Sequence, residues 1–322
     1  MLDKVILAPI AGVADLAFRL ICREHGAGLC FYEMLDSNSL IHGPKRKIED
    51  IIQFHKKDTP IAGQLLGNDP DNMLKAAKKL LKYCGHIKFL DINAACPVKK
   101  VLKKKAGAHL LKEPETLYRV IDKLANNLPL NITVKLRVNE NITQIARGCE
   151  NAGAKVLFVH GRTAQQLYKG NVDHRAIKSV KDAVKIPVYA SGNIFSPQAA
   201  KEALDLTGCD GVLIARGSFG NPWIFKRTKH YLKTGKLLAE PGWAEKLTTI
   251  RRHVQYIEKN KKMITRINLA CARKTAIWYL KSFKNSRAVR DEAGKKHTFK
   301  ELYALIDSIS ESLLTGRPTT LS

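Results

Sequence analysis

The sequence places a cysteine between an apolar run and a series of lysines. Residues 87–92 are mostly apolar and predict a buried strand, which is followed by Asn93 and Cys96. A lysine-rich loop begins directly afterwards at Lys99. A thiol at the end of a strand, beside positive charge, could carry out chemistry on a polyanionic substrate. A buried cysteine before a loop of solvated lysines would give the same pattern.

Side chains that could bind a flat polar ligand occur in other β-rich runs. Lys135 lies inside one such run, where a buried ammonium needs a partner or a ligand. Gln64 and His160 lie near the ends of two more. Taken alone, a histidine in this position is more often a satisfied polar residue than a catalytic one.

Two segments that contain glycine could bind a phosphate group. Ser191-Gly192-Asn193 and Ala215-Arg216-Gly217 each follow an apolar run. Their small residues leave backbone N–H groups open to an anion, and the arginine adds a guanidinium. Ala8-Pro9-Ile10 ends the first run in a small corner with few donors, against which a flat ring could lie. A phosphate-binding segment opposite a flat pocket with polar edges predicts an FMN site.

Eight β-rich runs alternate with amphipathic helical stretches through the first two thirds of the chain. The runs cover residues 5–10, 29–34, 60–66, 87–93, 132–138, 156–161, 186–192 and 211–217. Most are continuously apolar, as parallel strands covered on both faces are. The alternation predicts a (β/α)8 TIM barrel of the α/β class, with its chemistry at the carboxyl ends of the strands. An open doubly wound sheet is the alternative, but no GxGxxG motif follows the first run.

The strand pattern stops near residue 236, and helical spacing of apolar residues replaces it. Three helices are predicted, over residues 243–260, 266–283 and 298–314. We therefore expect a barrel domain over residues 1–236 and a small all-α domain over residues 237–322. The helical part is rich in basic residues, namely Arg251, Arg252, Lys259, Lys261, Lys262, Arg266, Arg273, Lys274, Lys281, Lys284, Arg287 and Arg290. Few acids interrupt this set, which favours a phosphate-binding surface.

Charge and cysteine usage narrow the class of protein further. The 322 residues contain 55 Lys and Arg against 29 Asp and Glu, a formal net charge of +26 that is typical of nucleic-acid binders. No apolar run approaches the roughly 18 residues of a membrane span, and the N-terminus does not resemble a signal peptide. The seven cysteines are scattered without a CxxC, and no HExxH motif is present. We expect a cytoplasmic protein without a metal or a membrane partner.

The polar strand ends lie within segments that form a recognisable set. The segments are residues 8–15 with Phe18-Arg19, 91–101, 107–111, 134–137, 160–170, 191–194 and 215–223. Together they resemble the tRNA-dihydrouridine synthases over essentially the whole chain. Arg273-Lys274 and residues 278–281 are similar to the helical tail of the bacterial B-type branch. The chain departs from the family pattern at Ala95, where Gly is usual, and at Ser191 and Asn193, which replace an Asn and an acid.

The resemblance implies a flavin-dependent oxidoreductase that uses FMN and NADPH to reduce the uridine C5=C6 bond in tRNA. Cys96 would be the proton donor, because a thiol is mostly protonated near neutral pH. Residues expected to bind FMN are Ala8, Pro9, Ile10, Gln64, Lys135, His160, Ser191, Gly192, Asn193, Ala215 and Arg216. Residues expected to bind the substrate or RNA are Asn93, Lys99, Arg137, Arg162, Arg273 and Lys274, of which Asn93 and Arg162 would orient uracil or flavin.

Two other functions fit parts of the same pattern. An FMN barrel that acts on a free pyrimidine would share the flavin site and the strand-end acid, but it has no need for a net charge of +26 or a basic helical tail. An RNA-binding protein built on an inactive barrel would keep the charge. It would have no need for Cys96, Lys135 and His160 together.

Overall fold

In the part of the chain that the structure describes, nine parallel strands form the centre of the molecule. The computed structural model describes residues 2–260, 265–283 and 285–315, without the side chains of residues 47, 265 and 266. The strands are β1 Val5–Leu7, β2 Cys30–Phe31, β3 Leu35–Asp36, β4 Ile61–Leu66, β5 Phe89–Ala94, β6 Asn131–Arg137, β7 Val156–His160, β8 Val188–Ser191 and β9 Gly211–Ile214.

The strands close into a barrel with eight positions around its circumference. Their order is β1-β9-β8-β7-β6-β5-β4-β2, and β3 also pairs with β4. Cys30 of β2 is opposite Ile61 and Leu35 of β3 is opposite Leu65, so the two short strands share one position along β4. The ring closes where Leu7 N donates to Leu29 O over 2.9 Å. The predicted (β/α)8 barrel is confirmed, and an open sheet is excluded.

Helices cover the outside of the barrel. They are α1 Leu16–Glu24, α2 Ser37–His42, α3 Lys45–Ile51, α4 Pro70–Tyr83, α5 Lys99–Leu102, α6 Pro114–Asn127, α7 Ile142–Asn151, α8 His174–Ala183, α9 Pro197–Thr207 and α10 Ile224–Thr234. Several begin at a side chain that caps the first turn: Asp15, Asp69, Asp173 and Ser196 each accept from the N–H three residues on. Such caps fix where each helix starts after its strand.

The barrel interior changes from apolar to polar along the strands. Ile6, Phe31, Phe158, Tyr189 and Leu213 pack together near the amino ends. Because side chains of a strand alternate between faces, the next inward position on β4 and β5 brings polar residues into the same interior. The barrel therefore has a packed floor and a polar upper layer, and the upper layer adjoins the end where chemistry occurs in such folds.

Among the described residues, four further helices follow the barrel. They are α11 Trp243–Asn260, α12 Thr265–Tyr279, α13 Ser286–Lys295 and α14 Phe299–Thr315. Sequence periodicity missed α13, because only Val289 and Ala293 of its ten residues are buried. Lys261, Lys262, Lys284 and residues 316–322 of the predicted basic domain lie outside the described residues. In the part that the structure describes, no helix is both long and apolar enough to cross a membrane.

A buried ion pair joins α1 to the segment that precedes β4. Arg19 Nε lies 2.8 Å from Asp58 Oδ2, and both side chains are fully buried. The same guanidinium donates to Ala14 O and Gln53 O over 2.7 and 2.9 Å. Arg19 belongs to the family motif noted in the sequence, and its contacts assign it a role in building the barrel wall.

We expect Asp58→Ala to lower the free energy of unfolding by about 3–5 kcal/mol, because it leaves a buried guanidinium unpaired. Urea unfolding followed by circular dichroism measures this change. Asp71→Ala is the control, since Asp71 forms an exposed pair with Lys123 at 2.8 Å, which water screens. Equal losses in the two variants would contradict the assignment.

Candidate active site

A cavity of about 450 Å³ opens at the carboxyl ends of the strands. This volume lies within the range of about 300–1,000 Å³ that is usual for small-molecule sites. Its lining includes Ala8, Pro9, Ile10, Met34, Gln64, Asn93, Cys96, Lys135, Arg137, Tyr168, Ser191, Ala215 and Arg216. A smaller adjoining cavity shares Ser191 and Arg216 and is also lined by His160, Gly192 and Asn193. The structure thus brings all the residues predicted to bind FMN to one place.

Cys96 lies half-buried in the loop after β5 and lines the larger cavity. Asn93 Oδ1 accepts from the backbone N–H groups of Ala95 and Cys96, over 3.1 and 2.9 Å. On the other side, Ala108 N donates to Cys96 O over 3.0 Å. A Cβ on Gly107, which has φ +63°, would lie 2.7 Å from that carbonyl oxygen. The backbone that carries the thiol is therefore held on both sides.

Asn93 belongs to a chain of hydrogen bonds inside the barrel. Its Nδ2 donates to Gln64 Oε1 over 3.0 Å, and Gln64 Nε2 donates to Asp91 Oδ2 over 2.7 Å. Thr133 Oγ1 donates to the other carboxylate oxygen, also over 2.7 Å. Burial raises the pKa of Asp91 to about 6, although these two hydrogen bonds lower it. The predicted uracil ligand Asn93 thus uses its amide to hold the loop of Cys96.

Lys135 and His160 are electrostatically linked side chains at the polar edge of the cavities. No residue in the described ranges accepts a hydrogen bond from Lys135 Nζ, so its donors remain for a ligand. Burial, and then the charge of Arg137, lowers the pKa of Lys135 to about 8. Burial and the neighbouring cations, Lys135 first, lower the pKa of His160 to about 2. The imidazole is therefore neutral at physiological pH.

Arg137 was predicted to bind uracil or RNA, and in the structure two of its three nitrogen atoms donate to backbone carbonyl groups within the protein. The side chain is buried, and its Nε donates to Ala95 O over 2.7 Å. Its Nη1 donates to Thr163 O and Leu167 O, each over 2.9 Å. Arg137 therefore ties the loop of Cys96 to the loop after β7, while it also lines the cavity.

Arg162, the second predicted uracil ligand on this side, also binds backbone. Its Nη2 donates to Gly170 O over 2.7 Å and to Asn193 Oδ1 over 2.8 Å. The side chain is buried and is absent from the lining of the larger cavity. Asn193 has φ +51°, a left-handed conformation that Asn tolerates better than most residues. This contact explains how Asn193 fits where the family usually has an acid.

Two glycines are closely packed at the end of the site where the sequence predicted phosphate binding. A Cβ on Gly192 would lie 2.8 Å from Val172 Cγ2, and the residue has φ +127°. A Cβ on Gly217 would lie 2.0 Å from Ile194 O. Arg216 is exposed beside them, with its guanidinium 5.1 Å from the centre of the Tyr168 ring. An anion here would meet backbone and a cation held by an aromatic ring.

The predicted RNA-binding residues lie in three different settings. Lys99 is exposed on α5, next to the loop of Cys96. Arg273 Nη1 donates to Lys296 O over 3.0 Å inside the helical part. Lys274 is exposed, and its Nζ donates to Gly12 O over 2.7 Å, next to the cavity segment 8–11. Lys274 therefore joins α12 to the barrel at the edge of the cavity.

Sequence reasoning did not single out Asp91, Met34 or Tyr168 as site residues. Asp91 precedes Asn93 by two positions and so points to the same barrel interior, a signal that the alternation of a strand offers. Tyr168 is more than half exposed and lies near both Arg137 and Arg216. Within the described parts of the chain, no group of three or more His, Cys, Asp or Glu could hold a metal ion.

Comparison with known proteins assigns a family. The sequence profile described as "Dihydrouridine synthase (Dus)" matches residues 6–313. The chain belongs to the dihydrouridine synthase family. It is therefore an enzyme of the oxidoreductase class, and both the predicted family and the predicted class are confirmed.

Relatives from several bacteria match along nearly the full chain. The tRNA-dihydrouridine synthase B of Shewanella oneidensis is 36% identical over 318 residues, covering 97% of this chain and 97% of that protein. The protein of the same name from Pasteurella multocida is 35% identical over 296 residues, covering 89% and 87%. A probable tRNA-dihydrouridine synthase of Rickettsia prowazekii is 35% identical, covering 89% and 88%.

Solved structures agree on the fold of this family member. A variant of NCR from Zymomonas mobilis superposes with a TM-score of 0.51 and 16% identity, covering 74% of this chain and 89% of that chain. The old yellow enzyme homologue from the same organism also gives 0.51, at 13% identity, covering 74% and 91%. At these identities the likeness supports the barrel alone.

We expect His160 to make the flavin-free protein less stable in acid. Between pH 7 and 5 the unfolded chain takes up a proton at this imidazole, whereas the folded chain, with a pKa of about 2, does not. The free energy of unfolding should therefore fall by about 2 kcal/mol from this residue alone as the pH drops through 6.5. Urea unfolding at both pH values measures it.

In His160→Gln the fall between pH 7 and 5 should be smaller by that amount. His297→Gln, which replaces an exposed histidine, is the matched control and should keep the parental dependence. A parental slope in His160→Gln would show that the imidazole does not remain neutral.

Proposed function

We propose that this chain reduces the C5=C6 bond of uridine in tRNA to dihydrouridine, with FMN as cofactor and NADPH as reductant. The relatives named above are tRNA-dihydrouridine synthases, and they match at 35–36% identity over most of their length. The observation that carries the proposal is the position of Cys96, whose thiol lines the same cavity as the cationic Lys135.

The residues present fit FMN. Lys135 offers an ammonium without a partner among the described residues, as the polar edge of a flavin requires. Gly192 and Gly217 line the smaller cavity at positions where a Cβ would collide with the surrounding atoms, and Arg216 adds a positive charge for the phosphate. Ala8-Pro9-Ile10 would lie against the ring system. Gln64, His160, Ser191, Asn193 and Ala215 complete the proposed set of flavin ligands.

Bound FMN would supply the hydride that adds to C6 of the uracil. Cys96 donates its proton to C5, where the developing negative charge must be neutralised. His160, held neutral by its surroundings, can offer one N–H and one acceptor nitrogen without adding positive charge. Lys135 stabilises negative charge at the edge of the pocket. Asn93 and Arg137 hold the loop of Cys96 and so place its thiol at the cavity.

A uridine in folded tRNA must leave its stack to reach this cavity, at a cost of a few kcal/mol. Basic residues at the rim can offset this cost through phosphate contacts. Lys99 and Lys100 are exposed on α5, and Lys103 and Lys105 follow them. Lys104 is less available, because its Nζ lies 2.7 Å from Asp36 Oδ2.

The helical residues from 237 onward are proposed as the second domain, which binds the tRNA body. Their helices share one apolar cluster, which includes Ile250, Val254, Leu302 and Ile306. Arg251 and Arg252 on α11 add charge, although each also pairs with an acid. We assign residues 1–236 to the flavin-binding barrel.

Cys96→Ala should retain bound flavin and tRNA affinity but lose dihydrouridine formation by about 10²- to 10⁴-fold, the usual contribution of a positioned acid. Flavin absorbance, tRNA gel shift and mass spectrometry of the digested tRNA measure the three properties. Cys271→Ala, which removes the other half-buried thiol, should remain active. A Cys96→Ala enzyme that works at the parental rate would remove the acid assignment.

Replacing Lys99 and Lys100 together by Gln should make the salt dependence of tRNA binding less steep. Each lost phosphate contact reduces the slope of log K against log salt by about 0.7–0.9. The control replaces Lys78 and Lys82, which are exposed on α4 and carry the same charge. Equal effects in both pairs would mean that only net charge matters, and that α5 does not border the bound RNA.

A further inference from the structure

A line of hydrogen bonds in the barrel interior has only one possible order of donors and acceptors. The line runs from Thr133 through Asp91, Gln64 and Asn93 to the backbone N–H of Cys96. A backbone N–H can only donate, so Asn93 must present its oxygen to the loop. A carboxylate can only accept, so Gln64 must present its NH₂ group to Asp91.

These two ends fix the amides between them. With its NH₂ group at Asp91, Gln64 has only its oxygen to offer Asn93, and this oxygen accepts from Asn93 Nδ2 over 3.0 Å. Without an acceptor at position 91, Gln64 would lose the contact that orients it, and Asn93 would be held only by the loop and by Met34 Sδ, 3.1 Å from its Nδ2. A rotated Asn93 would present NH₂ to two N–H groups, which would push the loop of Cys96 away.

We propose that Asp91 is a positioning residue, which orients the Gln64 and Asn93 amides and thereby holds the backbone of Cys96 at the cavity. Asp91 is fully buried and is not part of the cavity lining, so water does not replace it as the partner of Gln64. The proposal deepens the function proposed above, because it concerns the placement of the thiol that acts as the acid. The effect of Asp91 on the loop of Cys96 can be tested without measuring turnover.

The competing explanation for a buried carboxylate here is its charge, which favours the charged form of Lys135. Asp91→Asn separates the two explanations. An Asn side chain can still accept from Gln64 Nε2, while the Thr133 hydroxyl rotates to accept from the new NH₂ group. Asp91→Leu has the same branched skeleton but no acceptor, so it interrupts the line.

The first experiment measures the rate at which iodoacetamide alkylates Cys96 in flavin-free protein, by mass spectrometry of its peptide. We expect Asp91→Leu to raise the rate about ten-fold and Asp91→Asn to leave it near parental. Gln64→Met, which interrupts the line at the next residue, should raise the rate equally. The double variant should raise it no further, since both changes break one connection. Thr207→Val is the control for loss of a buried hydroxyl elsewhere.

The second experiment measures turnover of the flavin-loaded enzyme on tRNA. Asp91→Leu should lower kcat about ten-fold with KM for tRNA unchanged, and Asp91→Asn should restore kcat. Loss of activity in both variants, with parental alkylation, would overturn the proposal in favour of charge. Additive effects of Asp91→Leu and Gln64→Met would overturn it as well. If Asp91→Leu does not fold, the Asp91→Asn and Gln64→Met results decide the matter.

Different results would overturn the proposed function and the positioning role of Asp91. If the parental enzyme does not reduce tRNA, the proposed function fails, while the alkylation rates still report whether Asp91 holds the loop. If Cys96→Ala is active and Asp91→Leu still speeds alkylation of the parental thiol, the positioning holds but the acid is another group.

Discussion

Polar side chains inside a closed barrel must find partners there, and this requirement organises the rest of the site. The strand period of two turns Gln64, Asp91 and Lys135 inward, above a layer of packed aromatic and aliphatic residues. An unpaired buried polar group costs free energy, so the amides and the carboxylate bind one another. Lys135 alone among these three keeps its donors free of any described partner. These hydrogen bonds hold the loop of Cys96, and the ammonium of Lys135 remains available to a ligand.

The barrel could be predicted because its strands are buried on both faces and so appear as continuous apolar runs. The second run shows the limit of this approach. Residues 29–34 were predicted as one strand, whereas the structure has β2 at Cys30–Phe31 and β3 at Leu35–Asp36. The two strands pair at Ile61 and Leu65 of β4, and residues 32–34 between them belong to neither strand. Composition cannot show such an interruption, since it depends on where the partner strand lies.

Most residues that line the site could also be predicted, because the polar residues at the strand ends lie together at one face of a barrel. The groups that the arginine side chains contact could not be predicted. Arg137 reaches the carbonyl groups of Thr163 and Leu167, which are 26 and 30 residues away in sequence. Whether a guanidinium meets a loop or a ligand depends on this tertiary placement. The same reasoning applies to Asn93, whose amide is used by Gln64 and by the loop that follows it.

The barrel and the helical part meet at the loops that line the cavity. Phe219 stacks on Trp278 of α12, with ring centres 4.5 Å apart and planes 16° from parallel. A Cβ on Gly220 would lie 2.4 Å from the carbonyl carbon of Trp278, so the backbones touch. Lys274, one turn earlier on α12, binds the carbonyl of Gly12 after β1. Two walls of the cavity are thus packed against a single helix. A displacement of α12 must therefore move the walls of the cavity as well.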